Sequence, residues 1–275
     1  MKNDCHIPSK SYGILEQKYV ETTQDALAEQ FLAQGFAVLD VGLSEQQIQA
    51  IKNAFDELTE KYIRHYGAEK LKGCDEYHTV RAPLLVEEHD VFLQLALQPQ
   101  LLDFISGMIK GVFILNQQNA ITNPSRQEYN QGLWHRDLPY QHFVTSRPIA
   151  INALYCVDDF TPDNGATFVL PFSHLREEMP SAEYVRQHAT QVSAKAGQFI
   201  LINCMTYHAG GYNNTATARR AVNHVFNIPF FKQQIKIPGN LSAQHLTRTQ
   251  RQFLGFEYEE ISSVDAFISQ RLKRV

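Results

Sequence analysis

His135, Arg136 and Asp137 place an imidazole and a carboxylate two positions apart. A second imidazole, His208, follows Asp137 by 71 residues, and Arg219 follows His208 by eleven. Two histidines and one carboxylate can occupy one face of an octahedral metal and leave the opposite face open, the arrangement of non-haem Fe(II) oxygenases. Alternate side chains of a strand share a face, so a strand through this segment predicts that His135 and Asp137 reach one ion. His208 must then come from another strand, which the long gap allows. An H-x-D alone is a weak signal, because a lone histidine is more often a surface or hydrogen-bonded core residue. The combination carries the weight.

Several elements must position these groups. Thr23 is read as the cap of a helix over about 24–34, closed by Gly35, with a strand at Phe36-Ala37-Val38-Leu39 after it. Ser44 and Gln47 form a capping box. The helix they open sets Ile48, Ile51, Phe55, Leu58 and Tyr62 on one face, a core stripe. Residues 67–88 read as irregular and 90–109 as helical, interrupted near Pro99. From Gly111 the pattern changes to short strands: Val112–Leu115, Ile149–Tyr155, Ala166–Leu170, Phe199–Ile202 and Arg220–Phe226. Asn123-Pro124, Pro162-Asp163-Asn164-Gly165 and Gly210-Gly211 punctuate them. Helices first and strands afterwards predict an α+β fold with a jelly-roll core. A helical insertion is expected at 174–195. A last helix at about 263–273 carries Arg271, Lys273 and Arg274 at its negative end. The reading is one domain over 1–275: a helical part at about 23–109 packed on a core at about 110–232, then an extension at 233–275.

The text around the triad resembles the phytanoyl-CoA dioxygenase family of Fe(II)- and 2-oxoglutarate-dependent oxygenases. The resemblance starts at Trp134-His135-Arg136-Asp137 and runs through Asp163-Asn164-Gly165-Ala166-Thr167-Phe168-Val169-Leu170-Pro171-Phe172-Ser173-His174. It continues through Gly197–Asn203, His208–Asn214 and Arg219–Asn223, and covers about 25–260. It implies a double-stranded β-helix (cupin-like) core, with His135, Asp137 and His208 as the metal ligands. It also implies Fe(II), 2-oxoglutarate and O2 as cofactor and co-substrates. The far carboxylate of 2-oxoglutarate needs a fixed cation. Arg219 matches the family's arginine in its offset and offers a bidentate fork. Arg220 is the rival, but neighbours in a strand face opposite ways, and register favours Arg219. Thr167 is either a second contact to 2-oxoglutarate or a β-branched strand filler. Gln117 and Asn119 alternate on one face and either line the co-substrate or substrate pocket or face water. Two positions depart from the family: Phe172 stands where Gly is usual, which predicts an altered turn. Gly210 stands two after the distal histidine, where Ser is common and touches the co-substrate.

The implied reaction couples decarboxylation of 2-oxoglutarate to succinate and CO2 with hydroxylation of an unactivated C–H of a small molecule. Asp137 argues against halogenation, since related halogenases lack this carboxylate. Desaturation or rearrangement starts the same way, and a cupin-type isomerase or an inactive binding module is the alternative outside oxygenase chemistry. His78, Arg81, Tyr140, His142, His224 and Trp134 lie near the motifs, but packing or surface roles are the simpler reading. His174 reads as part of a structural turn.

Composition narrows the classes. The 44% of apolar residues suffices for a sizeable core, and the net charge of −4 leaves no basic stripe for nucleic acid. No stretch approaches the 18 apolar residues of a membrane span, and Met1–His6 lacks the apolar region of a secretory signal. Cys5, Cys74, Cys156 and Cys204 show no C-x-x-C pairing and read as reduced thiols of a cytoplasmic protein. A monomer or a homodimer is expected, with the region from Pro238 a candidate dimer contact.

Overall fold

In the computed structural model, residues 8, 10–86, 90–138 and 142–272 are described. The first helix, α1 (Thr23–Gln34), is capped one residue earlier than the sequence suggests. Thr22 Oγ1 accepts from Asp25 N–H at 3.1 Å, and the Asp25 carboxylate accepts from Thr22 N–H at 2.9 Å. The acidic partner three residues on selects Thr22 over Thr23. Gly35 closes the helix at φ 84° and turns the chain into β1 (Phe36–Asp40). Helix α2 (Glu45–Tyr66) starts at the Ser44–Gln47 capping box and buries Ile51, Phe55 and Leu58. Of the segment 67–88, the described residues 67–86 are more regular than expected: they hold α3 (Ala68–Gly73) and the edge strand β2 (Thr79–Arg81). Three residues paired on one side only are too short for a periodic signal. The interruption at Pro99 separates α4 (Asp90–Ala96) from α5 (Pro99–Met108), where Pro99 sits in the first turn that tolerates it.

The remaining strands are β3 (Ile114–Asn123), β4 (Ala150–Cys156), β5 (Phe168–Val169), β6 (Thr190–Gln191), β7 (Gln198–Asn203), β8 (His208–Ala209) and β9 (Arg219–Asn227). Between β5 and β6 lie a short 3₁₀ turn and α6 (Ala182–His188), and α7 (Arg248–Phe253) and α8 (Val264–Leu272) end the chain. Helix α7 adds to the sequence reading, although Thr247 and Gln250 form a capping box at its start. Tyr140, Cys5, Lys273 and Arg274 lie outside the described residues.

Six strands form one antiparallel sheet in the order β1-β7-β4-β9-β3-β2, and a three-stranded sheet runs β6-β5-β8. This is the α+β jelly-roll, double-stranded β-helix arrangement. Alternation gives the large sheet two different faces. Ala153, Tyr155, Phe199, Leu201, Val222 and Phe226 belong to a core they share with Phe31, Phe55, Phe92 and Phe104 of the helices. Their neighbours Leu154, Cys156, Ile200, Ile202 and Ala221 point the other way, toward β5 and the site. A bulge between Leu115 and Gln117 resets β3, so that Gln117 and Asn119 face the site while Gln118 and Ala120 face the helices. The C-terminal segment packs onto the helix-side core: Phe253 stacks on Phe113 at 4.9 Å, and Leu254 is buried.

Candidate active site

The triad forms at a joint between the sheets. His135 lies in no continuous strand; it makes a single bridge to His208, the first residue of β8. His135 N–H donates to His208 C=O at 3.0 Å and receives the reverse bond at 3.1 Å. Asp137 N–H donates to Cys204 C=O at 3.2 Å. These bonds extend the i, i+2 alternation without a ladder, so the two side chains still share a side. The ligand atoms of His135, Asp137 and His208 all lie within 4.8 Å of one another. Asp137 Oδ1 is 3.6 Å from His208 Nε2 and 4.0 Å from His135 Nε2.

The surroundings leave the right atoms available. His135 Nδ1 contacts Leu133 C=O at 2.7 Å, and His208 Nδ1 contacts Thr206 C=O at 3.0 Å. A carbonyl can only accept, so each Nδ1 carries a proton, and in the neutral imidazole Nε2 is left to present its lone pair. Asn152 Nδ2 donates to Asp137 Oδ2 at 3.1 Å and leaves Oδ1 facing the histidines. This donor set fits a divalent metal that accepts imidazole and carboxylate together.

Electrostatics agree. Burial pushes the Asp137 carboxyl up, but the His208 charge and hydrogen bond, His135 and the Asn152 amide outweigh it and hold it at about 2. Burial pulls His208 down, yet the adjacent Asp137 carboxylate leaves it above its ordinary value. Burial and the His208 charge lower His135. The cluster therefore carries an anionic carboxylate paired with His208. Burial and the neighbouring Asp137 carboxylate push the Cys204 thiol well above its usual range.

A narrow chamber leads from the triad along the sheet to Arg219. Arg219 opens β9 and is 4% exposed. Its Nη2 donates to Gly165 C=O at 3.1 Å, and its guanidinium lies 3.8 Å from the Phe160 ring centre. Arg220 points outward and is saturated by Asp158 and Asp56, at 2.7 Å each. Thr167 is buried and lines the chamber between triad and arginine. Gln117 does not line this chamber; with Asn119 it lines the wider mouth on the other side of the metal site, a cavity of about 430 Å³.

Other flagged residues take supporting places. His174 Nε2 lies 3.2 Å from Leu32 C=O and helps seat α1. Phe172 takes the left-handed conformation at φ 65°, so the turn is kept despite the missing glycine, with backbone strain in its place. His224 is fully buried on the helix side, away from the metal site. Trp134 packs beside Leu170, Val185 and Tyr207 and also lines the mouth. Arg81 lines the mouth too, neutralised by Glu76.

Sequence reading passed over three residues. Arg136 points away from the metal site, donates to the carbonyls of Ser173, Arg176 and Glu177, and lies 4.1 Å from the Tyr207 ring centre. Asn152 had a signal: it is the one amide in the apolar run Ile149–Tyr155. Such a residue in a strand buried on both faces calls for a partner. Tyr129 had none; it lies in a loop, lines the chamber and hydrogen-bonds Arg219.

Comparison with known proteins places the whole arrangement. Residues 31–221 match the model of the phytanoyl-CoA dioxygenase (PhyH) family. The uncharacterized protein Rv1501 of Mycobacterium tuberculosis is 28% identical over 264 residues, 92% of this chain and 94% of that one. The crystal structure of AviO1 from Streptomyces viridochromogenes Tue57 superposes with TM-score 0.60 at 20% identity, over 75% of this chain and 96% of AviO1. EctD from S. alaskensis, solved with 2-oxoglutarate and 5-hydroxyectoine, gives TM-score 0.61 at 20% identity, over 76% and 78% of the two chains. These two structures share the fold. With the family model covering most of the chain, the conclusion is that this protein belongs to the phytanoyl-CoA dioxygenase family and is an oxygenase that works with Fe(II) and 2-oxoglutarate.

Proposed function

We propose that the protein hydroxylates an unactivated C–H bond of a small, polar metabolite. The observation that carries this reading is the convergence of two imidazole Nε2 atoms and one carboxylate oxygen within 4.8 Å, at the end of a chamber closed by a buried arginine. His135, Asp137 and His208 would hold Fe(II), and Arg219 would fix the distal carboxylate of 2-oxoglutarate, with Thr167 lining the same chamber. When bound, the metal and its co-substrate supply O2 activation coupled to decarboxylation, with release of succinate and CO2.

The protein does the rest. Nδ1–H bonds to Leu133 and Thr206 hold both imidazoles in the ligating tautomer. Asn152 orients Asp137 so that Oδ1 faces the two histidines. Ile121, Leu154, Ile202 and Ala221 wall the chamber and keep water from the chelate. Gln117 and Asn119 present amides at the mouth, which supports a substrate-side role for Gln117 in place of a co-substrate contact. Gln234 and the neutralised Arg81 add to a mouth that is polar without net charge. A volume of about 430 Å³ suits a small metabolite, and a mouth of neutral amides favours hydrogen-bonding groups over the phosphates of an acyl-CoA.

Anaerobic protein given Fe(II) and 2-oxoglutarate is expected to show the visible metal-to-ligand charge-transfer band of the chelate. His135→Ala and Arg219→Ala should both lose it. With a metabolite extract under oxygen-18 gas, the product should carry one labelled oxygen. An unlabelled product two hydrogens poorer would replace hydroxylation by desaturation, and no band in iron-loaded wild type would sink the 2-oxoglutarate reading altogether.

A further inference from the structure

We propose that Tyr129 binds the distal carboxylate of 2-oxoglutarate, and that Tyr129 and Gly210 act as one unit in which the tyrosine hydroxyl replaces a side chain at position 210. The inference rests on the 2-oxoglutarate reading above and adds a residue to it.

Position comes first. Tyr129 lines the same chamber as Arg219 and Thr167, and its hydroxyl hydrogen-bonds the Arg219 guanidinium. A guanidinium can only donate, so the hydroxyl accepts and keeps its own proton to give. Burial raises the Tyr129 pKa further, which keeps that proton in place. A carboxylate arriving at Arg219 therefore meets two kinds of donor, guanidinium N–H and phenol O–H, already joined to each other. Hydrogen bonds to an ionised acceptor are the strong ones.

Gly210 supplies the second, independent observation. It stands two residues past His208 and is not among the glycines with positive φ. Its backbone would accept any L-residue; the obstacle is space. A Cβ there would fall 3.0 Å from Tyr129 Cζ, closer still to its hydroxyl, and 3.2 Å from Gln131 C=O. The phenol occupies the volume that a short hydroxyl side chain at 210 would need. A short hydroxyl side chain at 210 and the tyrosine at 129 are thus alternative ways to bring one hydroxyl to one place.

The loop that carries Tyr129 is held in register. Gly210 N–H donates to Gln131 C=O at 2.7 Å, and Asn130 Nδ2 donates to Asp75 C=O at 3.0 Å. Residues 130–132 form a 3₁₀ turn directly after the tyrosine. The ring is placed from both sides.

The test titrates anaerobic, Fe(II)-loaded protein with 2-oxoglutarate and with 2-oxopentanoate, which chelates through the same keto-acid end but lacks the distal carboxylate. The charge-transfer band reports binding of each. Tyr129→Phe should weaken 2-oxoglutarate about tenfold or more, the worth of one hydrogen bond to a charged group, and leave 2-oxopentanoate within about twofold. Tyr129→Ala combined with Gly210→Ser should bind 2-oxoglutarate more tightly than Tyr129→Ala alone, because a hydroxyl returns. Unchanged 2-oxoglutarate affinity in Tyr129→Phe, equal weakening of both ligands, or no recovery in the double variant would each overturn the proposal. A wild type without the band would instead remove the 2-oxoglutarate reading beneath it, so the two failures are distinct.

Discussion

Strands β4 and β9 show two different chemistries on their two faces. Toward the helices they present Ile151, Ala153, Tyr155, Val222 and Phe226, an apolar surface whose polar members are a histidine, its amide partner on β3 and a tyrosine hydroxyl. Gln118 Nε2 donates to Phe92 C=O and to His224 Nε2, at 2.8 Å each, and His224 Nδ1–H donates to Ala153 C=O at 3.0 Å. Toward the site, Asn152 and Asn223 alternate with Leu154 and Ala221, and Asn119 of β3 lies opposite Asn223. The Oδ1 atoms of Asn119, Asn152 and Asn223 are buried without a protein partner. A buried, unpartnered amide oxygen costs stability, typically on the order of 1–3 kcal/mol. The helix face also leaves Gln118 Oε1 and the Tyr155 hydroxyl without a partner, so the difference lies in the gathering of three such amides beside the site, where a bound ligand can reach them.

Substitutions can break this contrast from either side. Asp137→Ala or His208→Ala should abolish 2-oxoglutarate-dependent turnover and the charge-transfer band, while the thermal midpoint stays within a few degrees. On the opposite face, Phe199→Ala should cost about 3–5 kcal/mol in denaturant unfolding yet leave the iron affinity of the folded protein intact. Loss of iron binding in both variants would end the division of labour.

His224 sharpens the comparison through pH. Burial, only partly opposed by its backbone hydrogen bonds, lowers its pKa from 6.5 to about 4. The unfolded chain therefore binds this proton first. Its contribution, about 3 kcal/mol, is complete above pH 6.5 and is lost as pH falls through about 4. Unfolding measured between those limits should show a shallower slope for His224→Phe than for wild type. Asn152→Leu should weaken Fe(II) binding roughly 10–100-fold, as outer-shell changes do, and leave stability equal or higher. Smallest of all, Phe172→Gly should raise stability by about 1 kcal/mol by relieving the left-handed backbone at a half-exposed ring; a drop would mean that the ring packs usefully.

Much of this was legible because it is periodic. The choice of Arg219 over Arg220 for the inward face follows from alternation in one strand, and the structure separates them as a buried arginine and an outward ion pair. The Ser44–Gln47 box and the break at Pro99 are equally local. Other features depend on distance in space. Tyr129 meets Arg219 across ninety residues from an irregular loop, and nothing near it in the sequence marks the meeting. Strand β2 exists because β3 offers an edge, and Gln117 falls on the mouth because of a bulge that no pattern announces. The turn at Phe172 shows the converse: local preference was overruled by surroundings, among them the Phe172 N–H bond to Gln34 C=O at 3.0 Å.

The pair of backbone bonds between His135 and His208 sets how the protein meets its metal. Both imidazoles are already joined to one another through main chain and fixed at Nδ1, so little disorder remains for an arriving ion to remove. The site behaves as a socket, unlike small metal-folded modules whose shape collapses on chelation. On the proposed reading, iron is expected to leave and return without refolding, so that supply of the ion, more than survival of the fold, would set how many molecules are competent.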